Sequence, residues 1–260
     1  MEIARNNIII LIILCSPLFS NEEFNYKINY IGIHVADCTI EYSDTTLSFL
    51  YRISTEKEKK FNEAPGIHAD RKYIEAVNIR VDVSTRGIID KLFQVDNDYQ
   101  LIINKKNGKL LYYKKNSYQP NVTNYIETYP LTYNNYLNDK ILYKSNNRKL
   151  SDSYNTIFSI FYLLTHNKEN ILIDKDFIIE REAKLYIGNI QNQIKNQFDI
   201  SIKENDSSQK GVVEHTDIFS WAIFMEGGKK TIYLNKESNR IEKCIFSKGF
   251  ISLSAEYQDK

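Results

Sequence analysis

The chain is poor in the residues that punctuate or staple a fold. Among 260 residues there are 9 Gly, 4 Pro, 3 Cys, 2 Met and 1 Trp. Too little Gly and Pro is present for a collagen-like or low-complexity chain. Three cysteines exclude a disulfide-dense scaffold, and their spacing excludes a thiolate zinc site. No charge of one sign dominates: 34 basic residues oppose 33 acidic ones, a formal net charge of +1. Without a global positive field, nucleic acid is not an expected partner.

Sequence signatures of catalysis are absent as well. There is no Gly-x-Ser-x-Gly elbow to present a nucleophilic serine. The four histidines, His34, His68, His166 and His215, do not share the His-Glu-x-x-His spacing that puts two imidazoles on one helix face. His215, with Glu214 and Asp217, is the nearest approach to a polar constellation. In a strand, though, 214 and 215 point to opposite faces. Gly-rich phosphate loops are missing too. No pair among the acids is singled out for glycoside hydrolysis. The expectation is a non-enzymatic protein without metal or cofactor.

What is present is apolar, aromatic and strand-like. Hydrophobic residues make up 42% and aromatics 13%, with 19 Tyr and 13 Phe, enough for a substantial core. At the N-terminus Arg5 precedes an unbroken apolar run, Ile8 to Cys15, followed by Pro17 and Ser20. Eight residues are too few to span a bilayer, which needs about 20. The run reads as a signal peptide over 1–20, with an uncleaved anchor as the alternative. The expectation is export to a bacterial periplasm, as a soluble, outer-membrane-associated or secreted protein with no integral span after cleavage. A single β-rich domain then covers 21–260. Cys38 and Cys244 remain after cleavage, either as free thiols or as one disulfide closing nearly the whole domain. By chain entropy such a bridge is worth about 5 kcal/mol.

Period-two alternation recurs along the chain. Phe24, Tyr26, Ile28 and Tyr30 alternate with polar residues up to Gly32, and Cys38, Ile40 and Tyr42 follow the same rule. Val77, Ile79, Val81 and Val83 give the cleanest strand. Ile88 to Val95 and Tyr99 to Ile103 read as further strands, and Asn107-Gly108 marks a hairpin turn. The Asn- and Tyr-rich stretch 116–147, with Pro120 and Pro130, reads as a long irregular connection with one short strand near Tyr125. Phe177 to Ile179, Lys184 to Ile187, a strand through Ile194, Phe198, Ile200 and Ile202, and a buried strand over Ile218 to Met225 come next. A closing meander runs through Ile232, Ile241 and Ile251 to Tyr257.

One stretch reads as a long helix, about 151–166. Ser151, Asp152 and Ser153 are capping candidates, and Tyr154, Ile157, Phe158, Phe161 and Leu164 recur at steps of three and four. Ile160, Tyr162 and Leu163 widen that apolar face, so the helix must be buried on more than a stripe. The fold expected is mainly β: a strongly curved antiparallel sheet, or partly open barrel, packed around this helix.

Three stretches together resemble the bacterial secreted family known as domain of unknown function 3108. Tyr26-Lys27-Ile28-Asn29-Tyr30-Ile31-Gly32-Ile33-His34-Val35-Ala36 is similar to its opening strand pair, with Ala36 where glycine is usual. Thr156 to Thr165 resembles its helix, with Thr156 and Thr165 in place of Asp and Arg. Thr231 to Gly249 resembles its closing hairpin, with Glu242 in place of proline. The resemblance implies an envelope-associated β-rich protein without an established activity.

A curved sheet with an apolar concave face either fills its hollow with side chains or holds an acyl chain. The expected function is binding or carrying a hydrophobic envelope molecule, a lipid or lipoprotein. Tyr154, Ile157, Phe158, Phe161, Leu164 and Trp221 are the candidate lining. The alternative is an assembly factor docking another envelope protein through strand edges and the 116–147 connection. A lesser one is glycan binding by the tyrosines of that connection, Tyr118, Tyr125, Tyr129, Tyr133, Tyr136 and Tyr143 among them.

Overall fold

A computed structural model describes residues 12–13, 21–52, 69–120, 122–130, 143–145, 148–150, 154–166, 168–181, 184–194, 196–205 and 222–259. Strands dominate: β1 (Ile12–Ile13), β2 (Asn21–Tyr30), β3 (Ile33–Arg52), β4 (Ala69–Thr85), β5 (Asp96–Asn104), β6 (Leu110–Gln119), β7 (Val122–Pro130), β8 (Tyr143–Ser145), β9 (Arg148–Leu150), β10 (Asp176–Arg181), β11 (Lys184–Ile194), β12 (Gln197–Glu204), β13 (Lys229–Asn235), β14 (Arg240–Lys248) and β15 (Ile251–Tyr257). The described helices are short: α1 (Gly87–Leu92), α2 (Ile157–Thr165) and a 3-10 turn, Glu169–Ile171. All strands join one antiparallel sheet in the order β10-β11-β12-β13-β14-β15-β2-β3-β4-β5-β6-β7-β8-β9, with β1 paired to β3 beside that path. The N- and C-terminal segments therefore meet in mid-sheet, where Tyr257 pairs with Tyr26 and Ala255 with Ile28.

The sheet is mainly a hairpin meander because alternating residues leave only one face to bury. On β4, Val77, Ile79, Val81 and Val83 are all buried; opposite them on β5, so are Tyr99, Leu101 and Ile103. The β5–β6 turn forms at Asn107-Gly108, with Gly108 at φ +69, as the dipeptide predicts. The inner face of the eleven strands β10–β15 and β2–β6 contributes to a single apolar core together with α2.

The helix is shorter than its apolar pattern suggests. It spans 9 residues rather than 151–166. Thr156 is the N-cap: its Oγ1 accepts from the Ser159 amide at 3.2 Å, and Ser159 Oγ accepts from the Thr156 amide at 2.9 Å. This reciprocal pair satisfies two of the donors a helix start leaves open. Residues just upstream are held sideways instead. Leu110 donates to the Tyr154 carbonyl at 2.9 Å, Asn155 donates to the Ile178 carbonyl at 3.3 Å, and Glu180 donates to the Asn155 carbonyl at 2.8 Å. Among the described residues the edge strands β10 and β9 do not pair, so the sheet is not closed. Tyr154–Asn155 instead spans from β6 to β10 by these backbone bonds. Ser151 to Ser153 lie outside the described residues. At the far end, Thr165 Oγ1 donates to the Phe161 carbonyl at 3.0 Å, and the His166 amide donates to the Tyr162 carbonyl at 3.1 Å.

Several expected elements differ. Ile88 to Val95 is not a strand: Gly87, at φ +62, breaks β4 and leads into α1. The excursion is closed where Thr85 and Val95 bond through the Thr85 amide (3.0 Å) and the Val95 amide (2.8 Å to Thr85 Oγ1). Within 116–147 the described residues other than Pro120 are strand, because β6 runs to Gln119, β7 spans Val122–Pro130 and β8 spans Tyr143–Ser145. Pro120 lies in the turn between β6 and β7 and Pro130 at a strand end, where neither removes an interior ladder bond. Ile194 ends β11 while Phe198, Ile200 and Ile202 belong to β12, with Asn196 at φ +70 in the turn. Ala222 to Phe224 are helical, not a strand.

Candidate functional site

The inner faces of β2–β5 and β14–β15 do not meet α2 everywhere. Between them lies a cavity of about 80 Å³. Water needs roughly 10–15 Å³ and two to four polar partners, so the volume suffices and the chemistry does not. Val81 and Val83 of β4 and Tyr99 of β5 form one wall, and Phe246 of β14 and Leu253 and Ala255 of β15 the other. Phe158 and Phe161 close it from the helix side. The Tyr99 and Phe158 rings stand 5.2 Å apart, tilted by 55°, within the range favoured for aromatic pairs. Phe158, Leu253 and Ala255 are half-buried, whereas Phe161, Val83 and Phe246 are buried.

Both candidate disulfide cysteines line this cavity, yet they are not bonded. Cys38 is on β3 and Cys244 on β14, with β2 and β15 between them. Three strand-to-strand steps of about 4.8 Å far exceed the roughly 7 Å beyond which two Cα atoms cannot be bridged. The disulfide reading is therefore corrected to two separate thiols. Burial pushes the Cys38 thiol up to about 12, with the Asp82 and Asp37 carboxylates adding to the shift. Burial likewise raises Cys244. Thiols in this state are poor nucleophiles at neutral pH.

Of the residues proposed from sequence to line a hollow, Phe158 and Phe161 reach the cavity wall. Ile157 and Leu164 are buried in the surrounding core. Tyr154 is half-buried in the extended segment before the cap, and Trp221 lies outside the described residues. The sheet's contributions, Tyr99, Phe246 and Leu253 among them, and that of Ile223 in the helical segment Ala222 to Phe224, are not evident from the sequence. Alternation marked most of these as inward-facing, but only the strand order shows which inward positions share a cavity.

A second, polar cleft lies at the C-terminal end of α2, lined by Glu22, Thr165, His166 and Asn239. The His166 ring stacks on Tyr162, centroids 4.0 Å apart, and meets Tyr42 edge-on at 5.5 Å. Its Nε2 is 3.6 Å from Glu22 Oε2. Burial lowers the imidazole pKa; Glu22 opposes the shift. Of the other histidines, His34 is paired with Asp37 at 2.8 Å, and His68 and His215 lie outside the described residues. Among the described residues no group of His, Cys, Asp and Glu is disposed to hold a metal. No helix among them is long and apolar enough to cross a membrane.

One rim of the sheet is apolar on the outside. The β2–β3 turn carries Ile31 and the start of β3 Ile33, α1 carries Ile88 and Leu92, and the β14–β15 turn carries Phe250, all exposed and Phe250 fully so. The three segments are neighbours: Ile31 donates to the Ser252 carbonyl at 2.9 Å, and Arg86 to the Val35 carbonyl at 3.2 Å.

No family model, curated protein or solved structure matches the chain. The resemblance to domain of unknown function 3108 thus receives no support from these comparisons.

Proposed function

We propose that this protein is an exported, non-enzymatic envelope protein that holds the apolar part of a lipid or of a lipoprotein's acyl chain in the cavity between α2 and the sheet. One observation carries the reading. A cavity large enough for more than one water has a wall of aliphatic and aromatic side chains and two protonated thiols, a lining that suits hydrocarbon and not water. Phe158, Leu253 and Ala255 are half-buried wall residues with room to shift as a chain enters. Native mass spectrometry of protein purified from its exporting host without denaturant tests this. A bound species of uniform mass, extractable into organic solvent, is expected; a bare polypeptide that also fails to take up added lipid contradicts the proposal.

The second reading, docking to another envelope protein, draws on the apolar rim of Ile31, Ile33, Ile88, Leu92 and Phe250. Exposed apolar clusters of this kind mark interaction surfaces. It differs from the sequence-derived version in placing the contact on turn tips and α1, not on the 116–147 stretch. Chemical cross-linking in the envelope separates the two readings: Phe250→Ser would abolish a specific cross-linked partner while leaving any bound lipid in place.

A further inference from the structure

Next to residues of the cavity wall lie buried polar groups without hydrogen-bond partners among the described residues. Asn97 is fully buried, and among the described residues neither its Oδ1 nor its Nδ2 has a hydrogen-bond partner. Ser117, its register partner across β5–β6, is 3% exposed, and its Oγ is also unpartnered. Native interiors hold few such groups, because burying an amide without partners is costly. Two side by side mark a place where a polar partner belongs.

Register ties this pair to the cavity. Asn97 faces Val83 on β4, and Tyr99, two residues further along the same face, faces Val81. Val81, Val83 and Tyr99 are all cavity wall. Lys115, fully buried, is the register partner of Tyr99 and sets its ammonium 5.9 Å from that ring's centre. On its other side the same ring packs on Phe158. Hydrocarbon wall, two hydrogen-bonding side chains and an ammonium are thus neighbours in register around Tyr99.

We infer that the ligand is a single-chain fatty acid, its carboxyl head bonded to Asn97 and Ser117 beside Lys115 and its chain lying between Tyr99, Phe158 and Leu253. The inference rests on the reading of the cavity as a ligand site and adds the head group's chemistry. A carboxyl offers two oxygens, one to accept from Asn97 Nδ2 and one from Ser117 Oγ; bonds of this charge-assisted kind are the stronger ones.

The test uses the full chain, stripped of bound lipid, and displacement of the neutral fluorophore N-phenyl-1-naphthylamine by decanoate and by hexane. Asn97→Leu is expected to weaken decanoate about tenfold or more while leaving hexane within twofold, and Ser117→Ala, nearly isosteric, to weaken decanoate in the same direction. If decanoate binds Asn97→Leu and Ser117→Ala as it binds the wild type, while hexane also binds, the head-group inference is overturned and internal water holds the amide. If neither probe binds the wild type, the cavity reading itself fails and the inference falls with it. Should Asn97→Leu not fold, judged by circular dichroism, Ser117→Ala decides alone.

Discussion

Leu163 of α2 lies against Gly108 of the β5–β6 turn, so closely that a Cβ built on Gly108 would fall 2.7 Å from Leu163 Cδ1. Gly108 is also at φ +69, a conformation that side chains resist. One glycine therefore serves both the turn and the seating of the helix. Gly108→Ala is expected to destabilise the fold by about 2 kcal/mol, from backbone strain and overpacking together. Urea denaturation measures it; a midpoint equal to wild type would mean that α2 does not press on this turn.

The Thr156–Ser159 capping box sets where the helix begins. Thr156→Ala removes the acceptor for the Ser159 amide and should cost about 1–2 kcal/mol. Thr156→Asp should restore much of it, since Asp caps as well as Thr. The same denaturation series reads both, and equal losses for the two variants would contradict the capping role.

Much of this architecture is legible in the sequence. The valine alternation of β4, the Asn107-Gly108 turn and the closing meander from β13 to β15 appear where local pattern places them. The start of the helix is not legible, because Tyr154 and Asn155 continue its apolar and polar pattern while their backbone is claimed by Leu110, Ile178 and Glu180, distant in the chain. The full reach of β6 is hidden because its inward residues beyond Tyr113 are Lys115, Ser117 and Gln119, which break the apolar alternation. α1 was misread because Ile88, Ile89, Leu92 and Phe93 are apolar without being buried. For the site, the helix contributed Phe158 and Phe161 from periodicity alone. Its opposite wall needed the strand order, which brings Leu253 beside Tyr30 of β2, more than 200 positions earlier.

Cys38, half-buried, and Cys244, buried, should behave as two unreactive thiols. With Cys38 pushed up to about 12, almost no thiolate exists at pH 8. Ellman's reagent is expected to react negligibly with the native chain over residues 21–260 and with two equivalents in denaturant, without prior reduction. Zero equivalents in denaturant would mean that the pair is oxidised and that the strand order separating β3 from β14 is wrong.

His166 gives stability a pH dependence of definite sign. Burial lowers its folded pKa below the usual 6.5, with Lys168 reinforcing the shift and Glu22 and Asp44 opposing it. The unfolded chain then takes up a proton before the folded one does. Stability is full above pH 6.5 and declines as pH falls from there through the folded pKa. Thermal melts of wild type and His166→Gln between pH 8 and 5 test this: the Tm difference between them should change across that window, and parallel curves would show that the imidazole titrates alike in both states.

The central claim is that a cavity between α2 and the sheet takes an apolar ligand, and filling it is the most direct test. Ala255, half-buried on the cavity wall, has room beside it for a larger side chain. Titration of N-phenyl-1-naphthylamine into wild type and Ala255→Phe decides the matter. The account predicts saturable binding to the wild type and at least a tenfold loss in Ala255→Phe, with cooperative thermal unfolding retained. Equal binding to both proteins would contradict it.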